Sequence, residues 1–216
     1  YSKDAVAAAR VTVEYAKNSP EDILMRLTIR NNGPDAADIH VLPQCTFRNT
    51  WSWDKDAPRP SMKLDKDGTV ILDHPTLGSY RLRSDSTPAP LFCENETNAK
   101  RVFNSKKTPE FPKDAVNDFV VQGKDEFVNP KQEGTKVSLH HKQTIAAGEE
   151  LVIRIRFCHS GSPVEFDDFN TAMDTRRKEA DEFYAPHTQH LPDDDSRNVL
   201  RQAYAGMIWG CQYYNY

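Results

Sequence analysis

The sequence predicts a mainly β chain: an antiparallel β-sandwich followed by two α-helices. Three observations carry this. Apolar and polar residues alternate in many short runs, such as Met25, Leu27 and Ile29 against Arg26, Thr28 and Arg30, the period of a half-buried strand. Turn signals such as Asn31-Asn32-Gly33-Pro34 separate the runs. After Gly161 the apolar period changes from two residues to between three and four. Many short strands without intervening helices point to a sandwich and not to a βαβ layout.

In chain order, Arg10–Tyr15 reads as the first strand, with Val11, Val13 and Tyr15 alternating, and Met25–Arg30 as the second. Ile39–Pro43 follows. Cys45, Phe47, Asn49, Trp51 and Trp53 then fall on one face of a further strand, with Thr46, Arg48, Thr50 and Ser52 on the other. Shorter strands are expected at Thr69–Leu72, Tyr80–Arg83, Pro90–Cys93 and Phe119–Gln122, and longer ones at Lys136–Ile145 and Leu151–Phe157. The polar, Pro- and Gly-broken stretches Asp54–Gly68 and Glu94–Pro112 read as long loops, a feature that in compact domains goes with a site or an interface.

The first helix is expected from the spacing of Phe166, Phe169, Met173, Arg176, Ala180 and Phe183, capped by Asp167 or Asp168 and ended at Ala185-Pro186. The second opens behind Asp193-Asp194-Asp195-Ser196, where carboxylates meet the positive end of the helix dipole. Its pairs Val199/Leu200, Ala203/Tyr204 and Met207/Ile208 make an apolar face that has to be buried. That face either packs back on the sandwich or begins another domain. The resulting division is 1–160 for the sandwich, 161–192 for a linker helix and 193–216 for the last helix.

Composition excludes several classes. The 216 residues carry 28 Lys and Arg against 32 Asp and Glu, a net charge of −4, and no basic stripe suggests nucleic acid. No run approaches the ~18 consecutive apolar residues of a membrane span, and no secretory signal is visible. Cys45, Cys93, Cys158 and Cys211 are widely spaced without a C-x-x-C, so they read as reduced, mostly buried thiols. The G-x-S-x-G elbow and the P-loop are absent. His187 and His190 are read as loop residues between Pro186 and Pro192, without zinc-ligand spacing nearby. No metal or cofactor is expected.

Candidate site residues follow from chemistry that suits sugars. The flat faces of Trp51 and Trp53 can stack on pyranose C–H faces, and Arg48 and Asn49 can supply hydrogen bonds to hydroxyls. Asn95, Glu96 and Asn98 lie in a loop dense with amide and carboxylate groups, which would serve hydroxyls or hold the loop together equally well. Asn95-Glu96-Thr97 also fits the N-glycosylation sequon. Lys113, Asp114, Asn117 and Asp118 form a charged cluster that is either a clamp or turn chemistry. Tyr213, Tyr214 and Tyr216 close the sequence as candidate contacts or packing residues. No pair stands out as catalytic acid and base.

Seven segments in order resemble one family. They are Val13–Lys17 with Ser19–Leu24, Phe47–Trp53, Glu94–Asn98, Lys113–Asp118, Val128–Pro130, Gly134–Lys136 and Arg201–Trp209. Together they resemble the N-terminal region of bacterial proteins similar to glycoside hydrolase family 63, a group that includes glucosidase I and mannosylglycerate hydrolase-like enzymes. Where such relatives commonly show Ser-Lys, this chain has Gly210-Cys211. The resemblance implies a super-sandwich ahead of an (α/α)6 barrel and an inverting mechanism on α-glycosidic bonds. The catalytic carboxyls would then lie on barrel loops beyond Tyr216, and the last helix would be the barrel's first. The implied partners are this barrel and an oligosaccharide or glycoside substrate. The implied setting is a bacterial cytoplasm, with neither nucleic acid nor membrane involved.

Overall fold

The computed structural model describes residues 9–54 and 56–211. These divide into two compact units that meet in sequence between Asp167 and Asp168.

The first unit is a two-layered β structure. Strands β1 (Ala9–Ser19) and β2 (Asp22–Asn31) form a long hairpin across Pro20-Glu21. Strands β3 (Ala37–Val41) and β4 (Gln44–Thr46) are followed by β5 (Ser61–Leu64), β6 (Val70–His74), β7 (Gly78–Ser84) and β8 (Ala89–Cys93). After two short helices, α1 (Ala99–Phe103) and α2 (Ala115–Gln122), come β9 (Glu133–Gly134), β10 (Lys136–Ile145) and β11 (Glu150–His159). One sheet has seven strands in the order β1-β2-β11-β7-β6-β5-β9, and every pairing in it is antiparallel. The other has four, with β10 between β8 and the successive strands β3 and β4. β3 and β4 keep one continuous register along β10, broken where Pro43 has no N–H to give, although Leu139 N still donates to Pro43 O at 2.8 Å.

The period-2 pattern sets which side chains fill the space between the layers. Leu27, Ile29, Met62, Val70, Leu72, Leu82, Ile153 and Ile155 come from the large sheet, and Phe92, Val137, Leu139 and Ile145 from the small one. A second cluster forms on the outer face of the small sheet, where Ala115 and Val116 of α2 cover Leu91 and Cys93 with Val128.

Several sequence expectations need correcting. Phe119–Gln122 is not a strand; it is the second half of α2, which Gly123 ends in a left-handed conformation at φ 67°. Ala115-Val116 and Phe119-Val120 repeat at i, i+4, a period that the four-residue run alone conceals. Trp51 and Trp53 do not share a strand face with Phe47. The small-sheet pairing continues for one rung, Phe47 N to Thr135 O at 3.1 Å. Asn49 then accepts from Ser52 N at 3.1 Å, folding residues 49–53 into a turn. The stretch Asp54–Gly68 contains β5 and the stretch Glu94–Pro112 contains α1, so neither is wholly a loop.

The second unit is a helical pair, α3 (Phe169–Thr188) and α4 (Asp194–Gly210). α3 does not end at Ala185-Pro186. Pro186 lies in its last turn, and the helix closes with Gln189 N on Ala185 O at 2.9 Å. His187 is therefore helical and not part of a loop. Asp193 caps α4, accepting from Ser196 N at 2.8 Å. Arg201 of α4 bonds Asp181 of α3 at 2.6 Å and lies 4.9 Å from the Tyr184 ring centroid. Val199, Met207, Ile208 and Trp209 remain exposed. Among the described residues, no helix is long and apolar enough to cross a membrane.

Candidate functional site

The candidate residues gather on loops fixed to the small sheet. Asn49 Nδ2 donates to Asn95 O at 3.0 Å, and Asn95 Nδ2 donates to Phe47 O at 2.7 Å, so each amide anchors the other's loop. Asn95 N donates to Thr135 Oγ1 at 2.8 Å, and the Thr135 hydroxyl donates to Glu94 Oε2 at 2.6 Å. These three segments are far apart in sequence, and side-chain bonds to backbone hold them as one cluster.

Arg59 joins the cluster to the tryptophans. Its guanidinium lies 2.7 Å from Glu94 Oε2 and 3.0 Å from Glu96 Oε1, and 5.5 Å from the Trp51 ring centroid. Trp51 Nε1 donates to Glu96 Oε1 at 2.9 Å. Glu96 thus accepts from a ring N–H and a cation together. The open aromatic is Trp53, 73% exposed, with the Arg48 guanidinium 5.6 Å from its ring centroid.

A second knot is built on α1 and α2. Asn98 caps α1, accepting from Arg101 N at 3.1 Å, and donates to Asp114 Oδ2 at the same distance. Arg101 bonds Asp114 Oδ2 at 2.6 Å and forks onto Asp118 at 2.6 and 3.3 Å. The Asp118 hydrogen bonds and both carboxylate charges hold the Arg101 guanidinium above its ordinary value. Asn117 Nδ2 reaches Asp118 Oδ1 at 3.4 Å. Lys113 N donates to Glu96 O at 3.0 Å, which ties this knot to the first.

Of the residues expected from sequence, Asn49, Trp51, Asn95 and Glu96 meet in the first knot, and Asn117 and Asp118 in the second. Arg48 and Trp53 pair beside the first. Tyr213 and Tyr214, with Tyr216, lie outside the described residues. Sequence reasoning missed Arg59, Arg101 and Thr135. Nothing in the neighbours of Arg59 marks it out; its importance appears only when Glu94 and Glu96 are brought to it across the fold. Arg101 could have been read from its spacing to Asn98, a cap and its third residue.

The site's chemistry is that of a braced, hydrogen-bonding loop surface. Glu94, Glu96, Asp114 and Asp118 are each bonded to an arginine. Among the described residues, no group of three or more His, Cys, Asp or Glu could hold a metal ion.

No family model matches the chain. The chain is similar to the uncharacterized protein YMR196W of Saccharomyces cerevisiae. It is 31% identical to that protein over 246 residues, an alignment that takes in 95% of this chain and 23% of the yeast protein. The chain therefore spans about a quarter of that relative's length. A bacterial source, expected from the sequence, draws no support from a yeast relative.

Proposed function

We propose that this chain is the β-sandwich region of an inverting α-glycosidase similar to family 63, bracing an (α/α)6 barrel and shaping the mouth of its substrate pocket. One observation carries the reading. Of the seven segments that resemble that family, Phe47–Trp53, Glu94–Asn98, Lys113–Asp118 and Gly134–Lys136 converge on one hydrogen-bonded cluster. Segments matched for unrelated reasons would have no cause to assemble. The exposed apolar side of α4 supports the reading as a face that neighbouring barrel helices would cover.

In this reading the sandwich supplies position and not chemistry. The carboxylates of the cluster are bound to arginines, and inversion needs an acid and a base about 6.5–9.5 Å apart with a water between them. Those two groups are assigned to the barrel. Trp53 is assigned to stack on a sugar at the rim, with Arg48 beside it.

The test compares the isolated chain with the longer protein that contains it on a panel of α-glucosides and α-linked oligosaccharides. The longer protein hydrolyses one of them with inverted anomeric configuration by proton NMR, and the isolated chain hydrolyses none. Turnover by the isolated chain, or inactivity of the longer protein across the panel, overturns the proposal. The exposure of Trp53 favours one second reading, a self-sufficient carbohydrate-binding sandwich. In that case oligosaccharides alone quench the tryptophan fluorescence of the isolated chain to saturation, and Trp53→Ala removes the response.

A further inference from the structure

At one end of the sandwich, the β1–β2 and β6–β7 turns and the residues leaving β4 enclose a cleft of about 400 Å³. The strand register builds its apolar wall. Phe157 of β11 lies opposite Ile23 of β2, and Tyr80 of β7 opposite Leu72 of β6. The Tyr80 and Phe157 rings stack in parallel, with centroids 5.1 Å apart and planes 5° from each other. Phe47 closes the cleft from the β4 side, packed against His74 at a centroid distance of 5.5 Å. Cys45 also lines it, and burial pushes its thiol up to about 11, so it contributes a neutral wall and no thiolate.

Five polar side chains border this apolar space, Glu21, Thr46, Arg48, His74 and Tyr80, and the Thr46 hydroxyl is spent on Phe47 O at 3.3 Å. The Tyr80 hydroxyl donates to Glu21 Oε1 at 3.4 Å. His74 Nδ1 accepts from Thr76 N and Leu77 N, both at 3.3 Å, which places the ring proton on Nε2 as a donor. Arg48 remains. Its guanidinium lies 5.6 Å from the Trp53 ring centroid, and among the described residues no carboxylate lies within ion-pairing distance of it. Arg48 and Glu21, the latter bonded by the Tyr80 hydroxyl, are thus the two charges at a mainly apolar cleft whose size suits a small molecule.

We propose that this cleft binds a small amphipathic carboxylate, an aromatic or short aliphatic acid whose apolar body lies against Tyr80, Phe157 and Leu72 and whose carboxylate meets Arg48. A charge-assisted bond to a guanidinium is about twice as strong as a neutral one, and the apolar walls reward a carbon body in proportion to the area covered. A sugar fits this cleft poorly, because most of its hydroxyls would face carbon and lose their hydrogen bonds to water. The site shares Arg48 with the sugar contact proposed for Trp53 but not Trp53 itself, and its test needs no glycosidase activity.

The probes are phenylacetate and hexanoate, with phenylacetamide and hexanol as neutral counterparts, titrated into the 216-residue chain by isothermal calorimetry. Both acids bind saturably at one site, and the neutral compounds bind about tenfold or more weakly. Arg48→Met removes that preference. Leu77→Trp, at a rim position 64% exposed, blocks both acids without disturbing the core. Thermal melts at the wild-type temperature show that both variants are folded. Equal affinity for acid and neutral probes, unchanged binding by Arg48→Met, or no saturable binding at millimolar ligand overturns the proposal.

Discussion

Asp22 of β2 and Arg156 of β11, neighbouring strands of the large sheet, form a buried bidentate ion pair. Asp22 Oδ1 accepts from Nε at 3.0 Å and Oδ2 from the guanidinium at 2.6 Å, with side chains 4% and 2% exposed. Arg156 also donates to Glu165 O at 2.5 Å. Removing one partner leaves an uncompensated charge out of water, so Asp22→Ala is expected to destabilise the fold by about 3–5 kcal/mol. Replacing both at once, as Asp22→Leu with Arg156→Met, recovers most of that loss because no charge is stranded. Urea unfolding of the three variants checks it, and a double variant no more stable than Asp22→Ala would contradict the account.

Gly134 is required by close approach and not by turn geometry. A Cβ at this position would stand 2.4 Å from the Cys93 carbonyl oxygen, a backbone atom that cannot rotate away. The same carbonyl accepts from Thr135 N at 3.1 Å, so moving it disturbs the junction of β8 with β10. Gly134→Ala is expected to cost about 1–3 kcal/mol, the usual range for overpacking, read as a lowered denaturation midpoint with an unchanged slope. Gly206→Ala, where a Cβ meets nothing within 4 Å, is the control and leaves the midpoint unchanged or raises it.

Arg59 separates local order from global stability. Its side chain is 47% exposed, so its pairs with Glu94 and Glu96 add no more than about 1 kcal/mol to the whole fold. Locally it holds two carboxylates and a tryptophan ring, and Arg59→Ala is expected to loosen all three, leaving the Thr135–Glu94 and Trp51–Glu96 bonds to hold them. Amide exchange across residues 94–98 should then accelerate and tryptophan emission shift to the red, while the unfolding midpoint barely moves. A large global loss with unchanged exchange would show that Arg59 supports the core.

The strands were legible wherever one face meets the core and the other meets water. Lys136–Ile145 is a strand over those same residues, and Leu151–Phe157 lengthens by one residue at its start and two at its end. The failures share a cause. At residues 49–53 the alternation is real in sequence, but the Asn49 amide captures Ser52 N and turns the chain out of the sheet. At residues 119–122 the β-branched run faces an outer cluster with Leu91 and Cys93, a partner that no local window contains. The loop residues Asn49, Asn95 and Glu96 were recognisable by type. That their hydrogen bonds tie the loops to each other and to the small sheet depends on contacts 40 or more residues apart. The cleft around Tyr80 and Phe157 had no linear signal, since its walls come from five separate strands and their turns.

The stacked pair His40 and His140 predicts an acid-sensitive fold. Nδ1 of His40 lies 2.9 Å from Nε2 of His140, with ring centroids 5.0 Å apart and Phe119 edge-on to His140 at 5.9 Å. Burial lowers the His140 value, and the nearby His40 and Lys142 lower it further. The folded state therefore resists a proton that the unfolded chain takes up near its ordinary value of about 6.5. Above that value neither state binds the proton and the full stability is present; as the pH falls through it, the unfolded state binds more protons and stability declines. Urea midpoints measured from pH 7.5 down to pH 5 are expected to fall. His40→Gln lessens the slope by removing one like charge and leaves the burial contribution in place. His140→Gln removes the contribution altogether, and a slope identical in wild type and His140→Gln would assign the acid sensitivity to other groups.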